Sequence, residues 1–230
     1  MKTIRLATNF LRDQRWPLVG VLAYSVAMAL AFGVATGSPG RADAEFYLRQ
    51  QAAFAVFIGV AVAGSALSTD LRSRRLLAIL SKAVHRAEYV GGIILACWTV
   101  SLVYVLVTAV ACASVPGFRA FLPEFLRMFP AVLVLALLAI TVAVMFSIFV
   151  HPFFATALTA IVLIAPAPVA MAVPGLGGWI APAYELGRSI ATGAWTNAFA
   201  AIAGGSVQSL AFFAMGVTIF QRKDIAASAD

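Results

Sequence analysis

The chain has 230 residues, of which 63% are hydrophobic and only 11% are charged. An ordinary water-soluble domain carries about 25% charged residues, so this composition excludes such a fold and indicates membrane-spanning helices of about 20 residues each. The net charge of +7 comes from residues that flank apolar segments, with no long basic stretch interleaved with aromatic residues, which argues against a nucleic-acid-binding protein.

The first sixteen residues predict an amphipathic helix at the membrane surface. Four apolar side chains share one side of this helix, and most of its basic residues lie elsewhere around it. The apolar residues are Ile4, Ala7, Phe10 and Leu11, and the basic residues are Lys2, Arg5, Arg12 and Arg15. We therefore expect residues 1–16 to form an interfacial helix. An unordered basic N-terminus is the alternative.

Intervals without charged residues predict six membrane-spanning helices. The longest interval runs from Met128 to Tyr184 and holds 57 residues. A helix of that length would measure about 85 Å, so the segment must cross the membrane twice or leave it midway. His151 and Pro152 mark the break, because proline disfavours helix in the preceding residue and lacks a backbone donor. The predicted helices are Pro17–Ala35, Leu48–Leu67, Val90–Ala113, Phe129–Val150, Phe153–Val173 and Ala198–Phe220.

The distribution of Lys and Arg predicts the orientation of these helices. With the N-terminus in the cytoplasm, eleven basic residues lie on the cytoplasmic side and five on the other, as the positive-inside rule expects. The eleven are Lys2, Arg5, Arg12, Arg15, Arg72, Arg74, Arg75, Lys82, Arg86, Arg222 and Lys223, and the five are Arg41, Arg49, Arg119, Arg127 and Arg188. A five-span arrangement would give ten to six. The length of the longest interval therefore decides for six.

The most charged part of the chain, from Asp70 to Tyr89, predicts a cytoplasmic excursion between the second and third helices. We call residues 70–89 the excursion. Its apolar residues have helical spacing: Leu76, Leu77, Ile79, Leu80 and Val84. Its basic residues are Arg72, Arg74, Arg75, Lys82 and Arg86. A segment this apolar is more than a solvated linker, so we expect one of its faces to bind the membrane or a partner protein.

Residues 174–195 predict an irregular apolar segment on the outer side, before the last helix. The glycines and prolines between Pro174 and Gly193 forbid one long helix, so we expect short re-entrant or interfacial helices. Glu185 and Arg188 are three residues apart and can form an ion pair on a helix face, where they would serve as an outer gate. A lipid-facing loop with an incidental ion pair is the alternative.

No residue pattern indicates catalysis, a metal centre or a cofactor site in this chain. The interiors of the predicted helices lack the ionisable groups that usually carry a coupling ion, which argues against a secondary carrier. His85 and His151 lack neighbouring metal ligands. The sequence contains no Gly-x-x-x-x-Gly-Lys-Ser/Thr phosphate loop, so any nucleotide hydrolysis must come from another chain. We therefore expect no enzymatic activity of its own.

Taken together, these features resemble the membrane subunit of type-2 ABC exporters, a family of six-helix permeases. The residues of the excursion that carry the resemblance are Asp70, Arg75, Leu76, Leu77, Leu80, Ser81, Arg86 and Tyr89. The N-terminal helix is similar to the family's connecting helix, residues 174–193 to its short outer helices, and the ending Phe220–Asp224 to its basic stop. The chain departs from the family at Lys82, since proline often follows the serine there.

The resemblance implies an all-α polytopic fold in one transmembrane domain over residues 1–230. Such a fold would have six transmembrane helices with both termini in the cytoplasm. It would also have an interfacial N-terminal helix, a coupling helix between helices two and three, and short outer helices before helix six. The coupling helix would dock on a separate ATPase subunit. The residues expected at that contact are Asp70, Arg72, Arg74, Arg75, Leu76, Leu77, Leu80 and Arg86.

The same resemblance implies an assembly in the bacterial cytoplasmic membrane. Two ATPase subunits would supply ATP and Mg²⁺, and a second permease subunit, identical or homologous, would complete the transporter. The apolar path predicts an amphipathic or lipid-like cargo. The alternatives are a haem-export-type permease of cytochrome maturation and a non-transporting membrane scaffold that binds a cytoplasmic partner through the excursion. A secondary carrier ranks third.

Overall fold

The computed structural model describes residues 2–36, 40–72, 85–173 and 175–222, and the regular structure in these ranges is helical. In chain order the helices are α1 (Lys2–Asp13), α2 (Arg15–Thr36), α3 (Arg41–Arg72), α4 (Arg86–Ser114), α5 (Pro116–Arg119), α6 (Leu122–Ser147), α7 (Pro152–Ile164), α8 (Ala167–Ala172), α9 (Gly177–Ile180), α10 (Pro182–Thr192) and α11 (Ala198–Arg222). Within the described ranges, six spans are long and apolar enough to cross a membrane: α2, α3, α4, α6, α7 with α8, and α11. The six predicted helices are confirmed, and the chain is a multi-pass membrane protein.

Helix α3 is longer than its charge-free core. It begins at Arg41, not at the predicted Leu48, and it continues to Arg72. The added first turns are charged, and Glu45 forms ion pairs with Arg41 and Arg49, each four residues away. Such pairs stabilise a helix, so charge does not end it. The first residues of the excursion, including Asp70, therefore belong to α3.

Prolines shape the two spans that follow α4. Helix α6 begins at Leu122, well before the predicted Phe129, and passes through Pro130. The predicted break at His151 is present: this residue is extended and Pro152 begins α7. The fifth span, predicted as one helix, is interrupted between α7 and α8 by Ala165 and Pro166. Proline supplies no backbone donor, which explains the interruption.

Helix α6 is the centre of the bundle, and α2 lies at its edge. In the most apolar stretch of α6, 61% of the residues are buried, against 11% in that of α2. Two hydrogen bonds between buried side chains set the register of α2, α3 and α4. Ser25 and Thr108 oxygens are 2.8 Å apart, and the Tyr104 hydroxyl donates to Oε1 of Gln51 at 2.5 Å. In a bundle whose exterior is apolar, such bonds favour one alignment of the helices.

Candidate functional site at the two ends of the bundle

Contacts between helices define two ends of the bundle. Helices α3 and α4 are antiparallel, because Ser101 bonds to Ala55 while the later residue Tyr104 bonds to the earlier residue Gln51. The excursion end comprises the end of α3, the start of α4 and the end of α11. The opposite end comprises the starts of α3 and α6, with α9 and α10.

The predicted ATPase-contact residues fall into three groups. Asp70 and Arg72 lie in the last turn of α3, and Arg86 is the first residue of α4. The others are Arg74, Arg75, Leu76, Leu77 and Leu80, which lie outside the described residues. Partner binding by these eight residues stays a prediction. The excursion therefore begins in the last turn of α3 and ends in the first turn of α4.

Arg86 joins the start of α4 to the end of α11. Its Nη1 donates to the carbonyl oxygens of Phe220 and Gln221 at 2.7 and 2.8 Å. Its guanidinium carbon lies 5.7 Å from the centroid of the buried Phe220 ring, which also stacks on Tyr89. The last carbonyls of a helix lack intrahelical partners and carry its negative dipole end, so a cation stabilises them. We call this contact the Arg86 clamp.

Helix α1 packs beside the Arg86 clamp. A Cβ atom added to Gly92 would lie 3.0 Å from the Cβ of Leu6 and 3.3 Å from the carbonyl oxygen of Thr3, so α1 approaches α4 at this glycine. The start of α4 is also capped locally, since the His85 N–H donates to the Glu88 carboxylate at 3.1 Å. Helices α1 and α11 therefore both contact the first turns of α4 at the excursion end.

Ion pairs hold the opposite end. Arg41 bonds to Glu45 at 2.8 Å and to Glu124 at 3.0 Å, and Arg49 bonds to Glu45 at 2.9 Å. Nη1 of Arg49 also donates to the carbonyl oxygen of Ala191, near the end of α10, at 2.7 Å. These contacts link α3 to α6 and α10. Residues separated by 83 and 142 positions meet here, so local spacing gave no signal for them.

The predicted pair of Glu185 and Arg188 is formed, with a distance of 2.7 Å. Glu185 is only 3% exposed, because its carboxylate lies against Gly177 of α9. The role of this pair as an outer gate stays a prediction.

Small residues let α9 pack closely on α11. The position where a Cβ of Gly204 would stand is occupied by the carbonyl oxygen of Gly178. Nearby, the Gln208 side-chain amide donates to the Trp179 carbonyl at 2.9 Å. The short helices before the last span are therefore fixed to α11.

An apolar groove of about 640 Å³ runs between α3 and α7. Phe57 of α3 and Phe153 of α7 are among its lining residues, and both are exposed. Two threonines also line it, but their hydroxyls donate to carbonyls of their own helix, Thr156 to Pro152 and Thr159 to Ala155. The groove therefore suits hydrocarbon better than a polar solute.

In the part of the chain that the structure describes, no three or more His, Cys, Asp or Glu side chains are grouped to hold a metal ion. No protein-family model matches the chain, and no curated protein matches it either.

Proposed function

We propose that the chain is the permease subunit of an ATP-driven ABC exporter in the bacterial inner membrane, with both termini in the cytoplasm. The observation that carries the proposal is the Arg86 clamp, which joins the start of α4, where the excursion ends, to the end of α11. A separate ATPase that binds the excursion would thus act on α3, α4 and α11 at once. The six spans and the sequence resemblance of the excursion support the same function.

The ATPase would supply the energy of ATP hydrolysis, and this chain would supply the path of the cargo through the membrane. Two ATPase subunits bind ATP and Mg²⁺ and close on each other, and each moves the excursion of its permease. A second permease subunit, identical or homologous, completes the membrane part. The ion pairs among Arg41, Glu45, Arg49 and Glu124 hold the opposite end of the bundle while the excursion end moves.

The cargo that fits this chain is amphipathic or lipid-like. The groove between α3 and α7 has apolar walls that include Phe57 and Phe153, and its threonine hydroxyls are bonded within α7. Hydrocarbon can enter such a groove from the bilayer without losing hydrogen bonds to water. A small ion would find no ligands there, which favours a lipid or a drug-like molecule as cargo.

The test is purification of the tagged full-length chain from its native membranes, followed by measurement of ATP hydrolysis. The parent chain should retain an ATPase. The double variant Arg74→Glu, Arg75→Glu should lower the retained hydrolysis by about tenfold, because it reverses charge at the expected contact. The matched control is Arg119→Glu, Arg127→Glu, which reverses two arginines near the opposite end and should leave hydrolysis within about twofold of the parent.

Two results would contradict this function. The first is a folded parent chain that retains no ATPase. The second is equal hydrolysis by the parent and by the Arg74, Arg75 variant. A retained ATPase whose hydrolysis never responds to lipid or amphipathic cargo would instead favour the scaffold.

A further inference from the structure

Three exposed arginines lie on α1 and at the start of α2. Arg5 and Arg12 are seven residues apart on α1 and share a helix face, and Arg15 begins α2. All three are exposed, whereas Ala7, on the side that packs against α4, is buried. The guanidinium of Arg15 lies 5.7 Å from the ring centroid of Trp16, which is 73% exposed.

Ion pairing separates these arginines from three of the arginines at the opposite end. Arg41, Arg49 and Arg188 each form an ion pair with a glutamate. Arg119 and Arg127, near that end, are exposed and form no ion pair with a described carboxylate. Among the described residues, no carboxylate forms an ion pair with the three arginines at the start of the chain. Asp13 follows Arg12 on α1 and offsets part of this charge, so Arg5, Arg12, Asp13 and Arg15 together keep a net positive charge.

The position of these arginines indicates which anion compensates them. Gln14 alone separates α1 from α2, and the first span runs from Arg15 to Val34. Arg12 and Arg15 therefore lie where the chain enters the bilayer, at the level of the headgroups. Exposed tryptophans such as Trp16 are typical of that level. The nearest abundant anions there are the phosphates of acidic phospholipids, and each nearby arginine adds to the attraction for them.

We propose that Arg5, Arg12 and Arg15 form a binding surface for the phosphate of an anionic phospholipid. The planar guanidinium groups can hold phosphate oxygens through two hydrogen bonds each. The acyl chains of the lipid would lie beside the exposed apolar face of α2, which includes Val19. This surface does not depend on an ATPase partner, so it stands or falls independently of the proposed function.

The test is native mass spectrometry of the full chain in detergent, titrated with phosphatidylglycerol and with phosphatidylcholine. The parent should bind phosphatidylglycerol more tightly. The double variant Arg12→Gln, Arg15→Gln should weaken phosphatidylglycerol binding by about thirtyfold, since two arginines at the headgroup level are lost. Arg12→Lys, Arg15→Lys should restore only part of it, because the charge is kept but the paired hydrogen bonds of the guanidinium are lost.

The comparison variant, Arg119→Gln, Arg127→Gln, removes the same charge near the opposite end. It should weaken phosphatidylglycerol binding less, because these two exposed arginines are not grouped with a third and Nε of Arg119 already donates to the Ala113 carbonyl. Inorganic phosphate should not displace the lipid, because it lacks acyl chains. Equal weakening by both glutamine variants, no weakening by either, or displacement by inorganic phosphate would overturn the proposal. A parent that shows no preference for phosphatidylglycerol would also overturn it and would leave an acidic partner protein as the occupant.

Discussion

Arg86 at the excursion end and Arg49 at the opposite end both bind C-terminal carbonyls of a helix that is distant in sequence. Arg86 binds the end of α11 beside the rings of Phe220 and Tyr89. Arg49 binds Ala191 of α10, and Glu45 lies within the same group of ion pairs. Arg86 lies beside the ring of Phe220, whereas Arg49 forms an ion pair with Glu45.

The two ends also differ in whether their charged side chains pair with one another. At the opposite end, two arginines and two glutamates neutralise one another and join α3, α6 and α10. At the excursion end, Arg5, Arg12 and Arg15 remain exposed. The opposite end thus contains a group of charges that pair with one another within the chain, whereas the three arginines at the excursion end form no ion pair among the described residues.

The largest expected effect is at Gly204, which tests whether the opposite end is fixed by close packing. Gly204→Leu should destabilise the protein by about 3 kcal/mol, because its side chain would meet the backbone of Gly178. Thermal unfolding in detergent would show this as a lower Tm. The same substitution at Gly20, where a Cβ meets nothing within 4 Å, is the control and should change the Tm little.

The next effect concerns the Arg86 clamp. Arg86→Gln should destabilise the protein by about 2 kcal/mol, because two charge-assisted hydrogen bonds to α11 are lost. Hydrogen exchange should also speed up in residues 218–222 and remain slow at the middle of α11. Arg222→Gln, at an exposed position in the same turn, is the control. Unchanged exchange at 218–222 in the Arg86 variant would show that the clamp does not hold α11.

A smaller effect is expected between the two ends. Tyr104→Phe removes the hydroxyl that bonds to the buried Gln51, and it should cost about 1 kcal/mol. Tyr24→Phe is the control, because Tyr24 is exposed and loses no buried partner. The difference between the two Tm values measures how much the hydrogen bond from Tyr104 to Gln51 stabilises the protein. A larger loss here than at Arg86 would place the main restraint on α4 inside the membrane rather than at the excursion end.

The smallest effect is expected for Arg49→Gln. Arg41 still neutralises Glu45 and Glu124 in this variant, so the Tm should fall less than it does for Arg86→Gln. Thermal unfolding of the two variants under the same conditions measures the difference. If Arg49→Gln lowers the Tm more than Arg86→Gln, the opposite end is not the internally neutralised region described above.

The sequence predicted the six spans because apolar runs of sufficient length are a local property. Helix ends were less predictable. The first turns of α3, from Arg41 onward, are charged but helical, so hydropathy alone places the start of this helix too late. The ion pair of Glu185 and Arg188 follows from spacing within one helix. The Arg86 clamp does not, because Arg86 and Phe220 are 134 residues apart and only the folded bundle brings them together.

The central claim is that an ATPase binds the excursion, and site-specific crosslinking tests it most directly. A photoreactive residue placed at Leu77, within the excursion, should crosslink to an ATPase subunit in native membranes. The same residue placed at Phe121, at the opposite end, should not. The account is contradicted if Leu77 forms no crosslink to an ATPase, or if Phe121 forms one equally well.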